Sequence, residues 1–369
     1  MISNTDSTLF IYRNWYIRVK EYNSQAAYNL KMLRFTASSR PLCVLLSSLL
    51  LGCFSGLRAE EPNRDPMHAR LVTSDIPNFW QVFDKATLKN AADLFQREYI
   101  DVGSPGLHGF LQSRIVNGHA LAGTVAARAQ YYAAIRANTL AVDQKPEIKQ
   151  AIQASFRRLK EIYPEAIFPD VYFLIGRMNS AGTTNGSQAL LIAVEMNARD
   201  EKTPVEELNN WEKAVVGQIE HLPHIVAHEL IHIEQSQANP QRSNGNQTLL
   251  AQALTEGGAD FLGEMISGGI INRVQRAYGN EHERDLWAEF SGAMHGTDAS
   301  HWLYQGDKSK GRPADMGYYE GFKICEAFYK RASDKREAIR RIVALSDPDA
   351  ILKEGGYGET FASGTTGKP

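Results

Sequence analysis

The sequence predicts a mainly α protein with a small β-sheet, an α+β fold. From Glu147 to Tyr163 apolar residues recur at every third or fourth position, which is the period of an amphipathic helix. Two short apolar runs, Val171–Ile175 and Ala189–Met196, have the length and residue types of buried strands. Helical patterns then resume and continue to about Ser346.

Composition indicates a globular protein and argues against a nucleic-acid-binding protein and a disulfide-rich one. The 369 residues include 40 Lys and Arg against 42 Asp and Glu, and this balance argues against a nucleic-acid partner. With 43% hydrophobic and 22% charged residues, the chain can bury a core. Three cysteines are too few for a disulfide framework.

Residues 1–59 are predicted to comprise two parts. The first is a segment that precedes the true translation start, and the second is a signal peptide. The run at residues 41–56 is apolar and uncharged, and Arg34 and Arg40 precede it. Because the run is shorter than the roughly 18 residues of a membrane-spanning helix, an export signal beginning at Met32 fits it better. A buried core helix is the alternative.

Two cleavage sites fit this signal. Leu50–Cys53 reads Leu-Leu-Gly-Cys, a lipobox in which Cys53 would carry the lipid, whereas Ala59 would precede an ordinary cleavage site. We therefore expect an exported protein, periplasmic or lipid-anchored in the cell envelope, that contacts the membrane only through a lipid on Cys53. Cys325 would remain unpaired.

Residues 60–369 are predicted to form a single domain. Helices are expected over residues 76–99 and 120–164. The Gly, Thr, Asn and Ser cluster at Asn179–Ser187 is expected to join the two strands as a hairpin. The tail from about Gly355 is expected to be loose.

The segment at residues 221–235 contains the pattern His-Glu-x-x-His. Pro223 suits the first turn of a helix, on which His228 and His232 share one face and can hold one metal ion. Glu229 lies about 100° around the helix axis, so it can reach a water on the metal without being a ligand. The alternative is an amphipathic helix with surface or core histidines.

The next predicted helix, at residues 249–267, offers the third ligand. A metzincin is excluded because Gln235 and Ala238 stand where its Gly and His would be. Glu256 completes a His₂Glu site with an open position, and Asp260, four residues on, can accept the free N–H of a ligand imidazole. Gly257 and Gly258 are expected to allow a close approach to the motif helix. A solvated acidic face is the alternative.

Other candidate groups are weaker. His224 lies one turn before the ligands and suits a pocket wall, while His295 and His301 suit ordinary loop positions. For an oxyanion donor the sequence offers Arg312, Tyr318 and Tyr319, of which we choose Tyr319. Asp315 is a candidate helix N-cap. The strand at residues 189–196 would bind an extended substrate if it lies at a sheet edge.

With these residues assembled, the chain resembles a family of uncharacterised, predicted zinc-dependent proteases distantly related to gliding-motility lipoproteins. The resemblance spans roughly Ile76 to Leu352. It implies a gluzincin-like domain with one zinc ion, held by His228, His232 and Glu256, and with Glu229 as the base. It is carried by four segments: Phe168–Met196, His224–Gln235, Leu254–Glu264 and Arg312–Tyr329.

The sequence therefore favours a zinc metallopeptidase that cleaves a peptide or protein substrate outside the cytoplasm. Glu229 would be the general base, and Tyr319 or Arg312 would stabilise the oxyanion. Two alternatives stay open. One is a non-catalytic envelope lipoprotein with a structural or vestigial metal site, and the other is a zinc hydrolase of a non-peptide substrate. The presence of the base favours an enzyme, because a structural site does not need Glu229.

Overall fold

Helices surround a small mixed sheet in the computed structural model. The structure describes residues 61–186, 188–241 and 247–362. The fold discussed below belongs to the unit that begins at Asn63. The predicted leader, including Met32 and the Leu50–Cys53 lipobox, lies outside the described residues.

The sheet has the strand order β1-β2-β4-β3, which places β4 inside it and β3 at one edge. Strands β1, β2 and β4 run parallel, while β3 is antiparallel to β4. Every residue of β4 is buried, as expected for a strand covered on both faces. The strands are β1 (Leu71–Val72), β2 (Asp170–Leu174), β3 (Gly182–Thr184) and β4 (Ala189–Ala193).

Both predicted strands exist, but the hairpin expected between them is wrong. Asp170 of β2 pairs with Ala189 of β4 in parallel register. The predicted turn contains β3, whose residues Gly-Thr-Thr are small and polar and so gave no apolar signal. The chain reverses on each side of β3, and these two reversals bring β4 back parallel to β2. The run after β4 is a 3₁₀ turn, Val194–Asn197.

The predicted helical regions are helical, but each is interrupted. Residues 76–99 hold two helices and most of the π-helical segment Phe95–Ile100, and residues 120–164 hold three helices. A second π-helical segment is Leu111–Ile115. The α-helices are α1 (Asp75–Lys85), α2 (Ala91–Leu94), α3 (Pro105–Phe110), α4 (Gly118–Ala127), α5 (Ala129–Leu140), α6 (Pro146–Ile162), α7 (Asn210–Val215), α8 (Leu222–Ala238), α9 (Leu249–Ser267), α10 (Arg273–Ala293), α11 (Gly317–Arg331), α12 (Lys335–Ala344), α13 (Pro348–Gly355) and α14 (Glu359–Ala362).

The expectation of a loose tail from Gly355 needs correction as far as Ala362. Tyr357 is buried, and its ring meets Trp287 edge-on at 5.1 Å. Phe361 stacks on the same tryptophan at 5.9 Å. These aromatic contacts hold the short helix α14 against α10, since each such pair contributes about 1 kcal/mol beyond burial. The residues after Ala362 lie outside the described chain.

Glycines set the spacing of the three helices that carry the site. A Cβ atom on Gly257 of α9 would overlap the backbone of Gly321 and Phe322 in α11. The close approach expected from Gly257 is therefore to α11 and not to the motif helix α8. Gly263 supplies the approach to α8, because its Cβ would lie 3.2 Å from the backbone nitrogen of His228.

Candidate metal centre

The structure brings the three predicted ligands together. On α8, His228 and His232 point their Nε2 atoms at one another across 3.0 Å. From α9, the Oε2 atom of Glu256 lies 3.2 Å from Nε2 of His232 and 3.7 Å from Nε2 of His228. Pro223 lies in the first turn of α8 and Asn239 follows its last residue, as the sequence predicts.

Asp260 lies where the sequence predicts, behind His228. Its Oδ1 atom is 2.8 Å from Nδ1 of His228, and its Oδ2 atom accepts a 2.7 Å hydrogen bond from Nδ2 of Asn272. Asp260 is only 1% exposed. A carboxylate in this position favours the tautomer with the proton on Nδ1, which leaves a lone pair on Nε2.

Gln235 performs the same task for His232, and sequence reasoning missed this role. Its Oε1 atom lies 2.8 Å from Nδ1 of His232. Its Nε2 atom donates a 2.9 Å hydrogen bond to the carbonyl of Thr255, and this bond aims Oε1 at the imidazole. The available signal was the spacing, because residues three apart on a helix are neighbours.

These side chains fit a divalent cation. When each imidazole keeps only its Nδ1 proton, both Nε2 atoms present lone pairs beside Oε2 of Glu256, so three acceptors can converge on one cation. Their separations of 3.0, 3.2 and 3.7 Å compare with about 3.3 Å between ligands in a tetrahedral zinc site. His228, His232 and Glu256 would be its three protein ligands.

The electrostatics of the three ligands are tightly coupled. Burial lowers the pKa of His228, but the hydrogen bond to Asp260 and the nearby carboxylate of Glu256 outweigh burial and hold that pKa well above its ordinary value. Burial raises the pKa of Glu256, yet the positive charge that the imidazoles of His232 and His228 carry when protonated holds it well below its usual range. The carboxylate is thus stabilised as an anion, which is the form that binds a metal.

Glu229 lies beside the ligand set without joining it. Burial raises the pKa of its carboxyl group, whereas the charges on His228 and His232, and then that on Arg114, act in the opposite direction. The carboxylate packs against β3, where a Cβ atom on Gly182 would lie 2.7 Å from Oε1 of Glu229. A larger residue at position 182 would displace the Glu229 carboxylate, so the edge strand and the predicted base lie in direct contact.

Two tyrosines complete the centre. The Tyr304 hydroxyl donates a 2.8 Å hydrogen bond to Oε1 of Glu256, from a backbone in the left-handed region at φ 57°. The Tyr318 ring stacks beside the imidazole of His228 at 6.1 Å. Its hydroxyl forms no hydrogen bond within the described part of the chain, and the residue borders the cleft.

The structure does not bring Tyr319 to this centre. Its hydroxyl donates to Oδ1 of Asn280 at 3.3 Å, and its ring packs on Gly279 of α10. Consecutive helix residues point about 100° apart, so Tyr318 faces the cleft while Tyr319 faces α10. Asp315 does not cap α11. It has a φ of 63° and accepts the backbone N–H of Gln305.

The remaining candidates are also separated from the ligands. Arg312 pairs with Glu289 at 2.6 Å and lies over the ring of Trp302. His295 is exposed, as is His301. His224 borders the cleft, as a pocket wall would.

A cleft of about 1020 Å³ opens over the metal centre. Its volume is at the upper end of the usual range for small-molecule sites. Its walls come from the edge strand β3, from the segments after β2 and β4, from α7 and α8, and from the start of α10.

Comparison with known proteins identifies a family but no individual relative. No curated protein and no solved structure matches the chain. The family model described as gliding motility protein GldB matches residues 71–359, a range that includes every residue of the candidate centre. The predicted relation to gliding-motility lipoproteins is thereby confirmed, and the description names no catalytic activity. The chain belongs to the gliding motility protein GldB family.

Proposed function

We propose that this protein is a cell-envelope lipoprotein of the GldB family whose cleft is a zinc-dependent hydrolytic site for peptides. Family membership supports the envelope location and the lipoprotein character. Among the described residues, no helix is long and apolar enough to cross a membrane. The observation that carries the hydrolytic proposal is the convergence of two imidazoles and a carboxylate next to a further buried carboxylate, Glu229, at the base of a cleft.

Glu229 is suited to the work of a general base. It is buried beside the ligands and holds no ligand position, so its carboxylate can take a proton from the attacking water and deliver it to the leaving amine. When bound, zinc would supply the Lewis acidity that polarises the scissile carbonyl and acidifies the water. The Tyr318 hydroxyl borders the cleft and can donate to the carbonyl oxygen as that oxygen gains charge.

Strand β3 is suited to align an extended peptide. Hydrogen bonds from Ala193 N–H to Ala181 C=O and from Asn185 N–H to Ala189 C=O connect it to β4. In an antiparallel pair the bonded residues alternate, so the main-chain groups of Gly182 and Thr184 point away from β4. The Gly182 carbonyl already accepts a bond from the hydroxyl of Ser180. The Gly182 N–H and the Thr184 N–H and C=O have no other hydrogen-bond partner among the described residues, so they can pair with a substrate backbone.

A non-catalytic envelope lipoprotein is the second candidate, and the family match favours it more directly than it favours an enzyme. In that role His228, His232 and Glu256 would hold a structural metal, or none, and the surface would serve a partner. A zinc hydrolase of a non-peptide substrate is a narrower rival, because the ligand set does not select the substrate.

Metal analysis combined with a cleavage assay separates these candidates. We expect the purified protein to hold about one zinc per chain and to cleave members of a peptide library, and we expect the His232→Ala variant to lose both properties. Zinc without cleavage of peptides supports the non-catalytic protein or the non-peptide hydrolase. Absence of zinc from the wild-type protein contradicts the metal site itself.

A further inference from the structure

A cluster of hydrogen-bond donors lies in the wall of the cleft, outside the metal centre. It consists of Arg114, Arg177 and Asn197, which we call the donor cluster, and all three residues border the cleft. Arg177 follows β2, and Asn197 ends the 3₁₀ turn that follows β4. Because β2 and β4 are parallel neighbours, both residues follow the carboxyl ends of their strands on the same side of the sheet. Open sheets commonly bind ligands beyond these ends.

The charges of the two arginines have no close counter-ion among the described residues. Within the described residues, neither guanidinium forms an ion pair with a carboxylate. Arg177 makes only long contacts of 3.3 to 3.5 Å, with Oγ1 of Thr124 and with the carbonyls of Arg114 and Ile115. By contrast, Arg128 in the same cleft is paired with Glu212 at 2.6 Å.

Donors without partners are buried in the same place. The Nε atom of Arg114 and the Nδ2 atom of Asn197 are inaccessible to solvent and have no hydrogen-bond partner among the described residues. Asn197 as a whole is only 4% exposed. An unpartnered buried donor costs about 1 to 3 kcal/mol, so such atoms commonly mark a position where a ligand supplies the acceptor.

Among the described residues, no acidic residue that borders the cleft forms an ion pair with Arg114 or Arg177. Asp307 and Asp315 belong to the segment between α10 and α11, and the latter already accepts a bond from Gln305. Glu229 belongs to the catalytic proposal, and Arg114 is within electrostatic reach of it. The donor cluster therefore offers positive charge and N–H groups, which match a carboxylate in shape and charge.

We propose that the donor cluster binds a carboxylate of the substrate, which makes peptides that place a carboxylate at this wall the preferred ligands of the cleft. This inference rests on the proposed peptide site and adds its specificity. The carboxylate can come from an Asp or Glu side chain or from the C-terminus of the peptide. Both present the same planar pair of acceptor oxygens to a guanidinium.

The test measures binding of short peptides to the zinc-loaded, full-length Glu229→Gln variant, so that turnover does not interfere. Three N-acetylated, alanine-rich peptides are compared: an uncharged amidated one, an amidated one with a single internal Asp, and one whose only charge is its free C-terminus. We expect the Asp peptide, the free-acid peptide, or both, to bind at least about tenfold more tightly than the neutral peptide. The peptide whose affinity exceeds that of the neutral peptide identifies the source of the carboxylate.

Variants in this background locate the effect. Arg114→Gln and Arg177→Gln should each lower the affinity ratio between the carboxylate peptide and the neutral peptide by about tenfold. Arg114→Lys should keep part of this ratio, because lysine retains the charge. Arg336→Gln, at an exposed position of α12, is the matched control and should leave the preference intact. Equal binding of all three peptides, or a preference that survives both glutamine substitutions, overturns the inference.

Zinc content measured on the same samples distinguishes the two proposals. Equal binding of the three peptides by zinc-loaded samples, together with peptide cleavage by the wild-type protein, contradicts only the donor cluster. Absence of zinc from every sample contradicts the metal centre, whereas an arginine-dependent preference for acidic peptides would still support the donor cluster.

Discussion

The Nδ1 atom of His228 lies 2.8 Å from Oδ1 of Asp260, and this contact joins the two helices that build the candidate metal centre. It turns Nε2 of the imidazole toward Glu256, on the same helix as Asp260. One turn of α9 thus supplies both a ligand and the group that orients another ligand. Asn272 holds the second oxygen of Asp260, so the carboxylate has no freedom to rotate away.

Replacing Asp260 by Asn should weaken zinc binding by about 10- to 100-fold. An amide at this position would direct an N–H group at either His228 or Asn272, both of which donate there. Chelator competition measures the zinc affinity, and circular dichroism checks the fold. The exposed Asp349→Asn variant is the control. Unchanged zinc affinity in Asp260→Asn would show that the carboxylate does not orient His228.

Tyr318 and Tyr319 provide a matched pair of neighbours. Removing the Tyr318 hydroxyl with Tyr318→Phe should lower kcat by about 100-fold, as loss of an oxyanion donor does elsewhere, and should leave the zinc content unchanged. Tyr319→Phe should leave kcat near the wild-type value, because that hydroxyl bonds to Asn280. Steady-state kinetics on a cleaved peptide measure both variants. A larger loss in Tyr319→Phe would contradict the assignment.

The close packing of α9 against α11 should tolerate no added methyl group. Gly257→Ala should lower the free energy of unfolding by about 1 to 3 kcal/mol, because the new Cβ overlaps the backbone of α11. Gly123→Ala, in α4 with open space around it, should instead raise stability by about 0.4 to 1 kcal/mol. Denaturant unfolding of the metal-free proteins measures both changes, and a neutral Gly257→Ala would disprove the close contact.

Glu320 should make the protein less stable as the pH rises. It is fully buried with neither oxygen hydrogen-bonded among the described residues, and burial raises its pKa from 4.5 to about 8. Between these values the unfolded chain releases the proton while the folded chain retains it. The contribution of this group is therefore present below pH 4.5 and is lost as the pH approaches 8.

Between those two pH values the free energy of unfolding of the wild-type protein should fall by about 3 to 5 kcal/mol more than that of Glu320→Gln. Urea unfolding at both ends of the window measures the difference, and the exposed Glu161→Gln variant is the control. An unchanged pH dependence in Glu320→Gln would mean that the carboxyl group ionises normally in the folded protein.

The sequence predicted the parts of the site that depend on spacing along a helix. His228, Glu229 and His232 follow from the pattern on α8, and Glu256 and Asp260 follow from their separation on the next helix. Tyr318 could not be distinguished from Tyr319 in this way. Which of two consecutive residues faces the cleft depends on the orientation of α11 about its own axis, and this is set by its packing against α9 and α10.

Elements with weak local signals escaped prediction. The edge strand β3 is short, small and polar, so nothing in its periodicity separates it from a turn. Its existence depends on pairing with β4, which is a tertiary contact. In the sequence, Gln235 serves only to exclude a metzincin, because it stands where that class has Gly. In the structure its bonds to His232 and to Thr255 of α9 orient a ligand.

The most direct test of the central claim compares the wild-type protein with Glu229→Gln. The substitution preserves size and removes only the ability to accept a proton, and Glu229 is not in the ligand set. We predict that both proteins hold about one zinc and that kcat for a cleaved peptide falls by about 100- to 10,000-fold in the variant. Equal cleavage by the two zinc-loaded proteins, or cleavage by neither, would contradict the account of a hydrolytic zinc site.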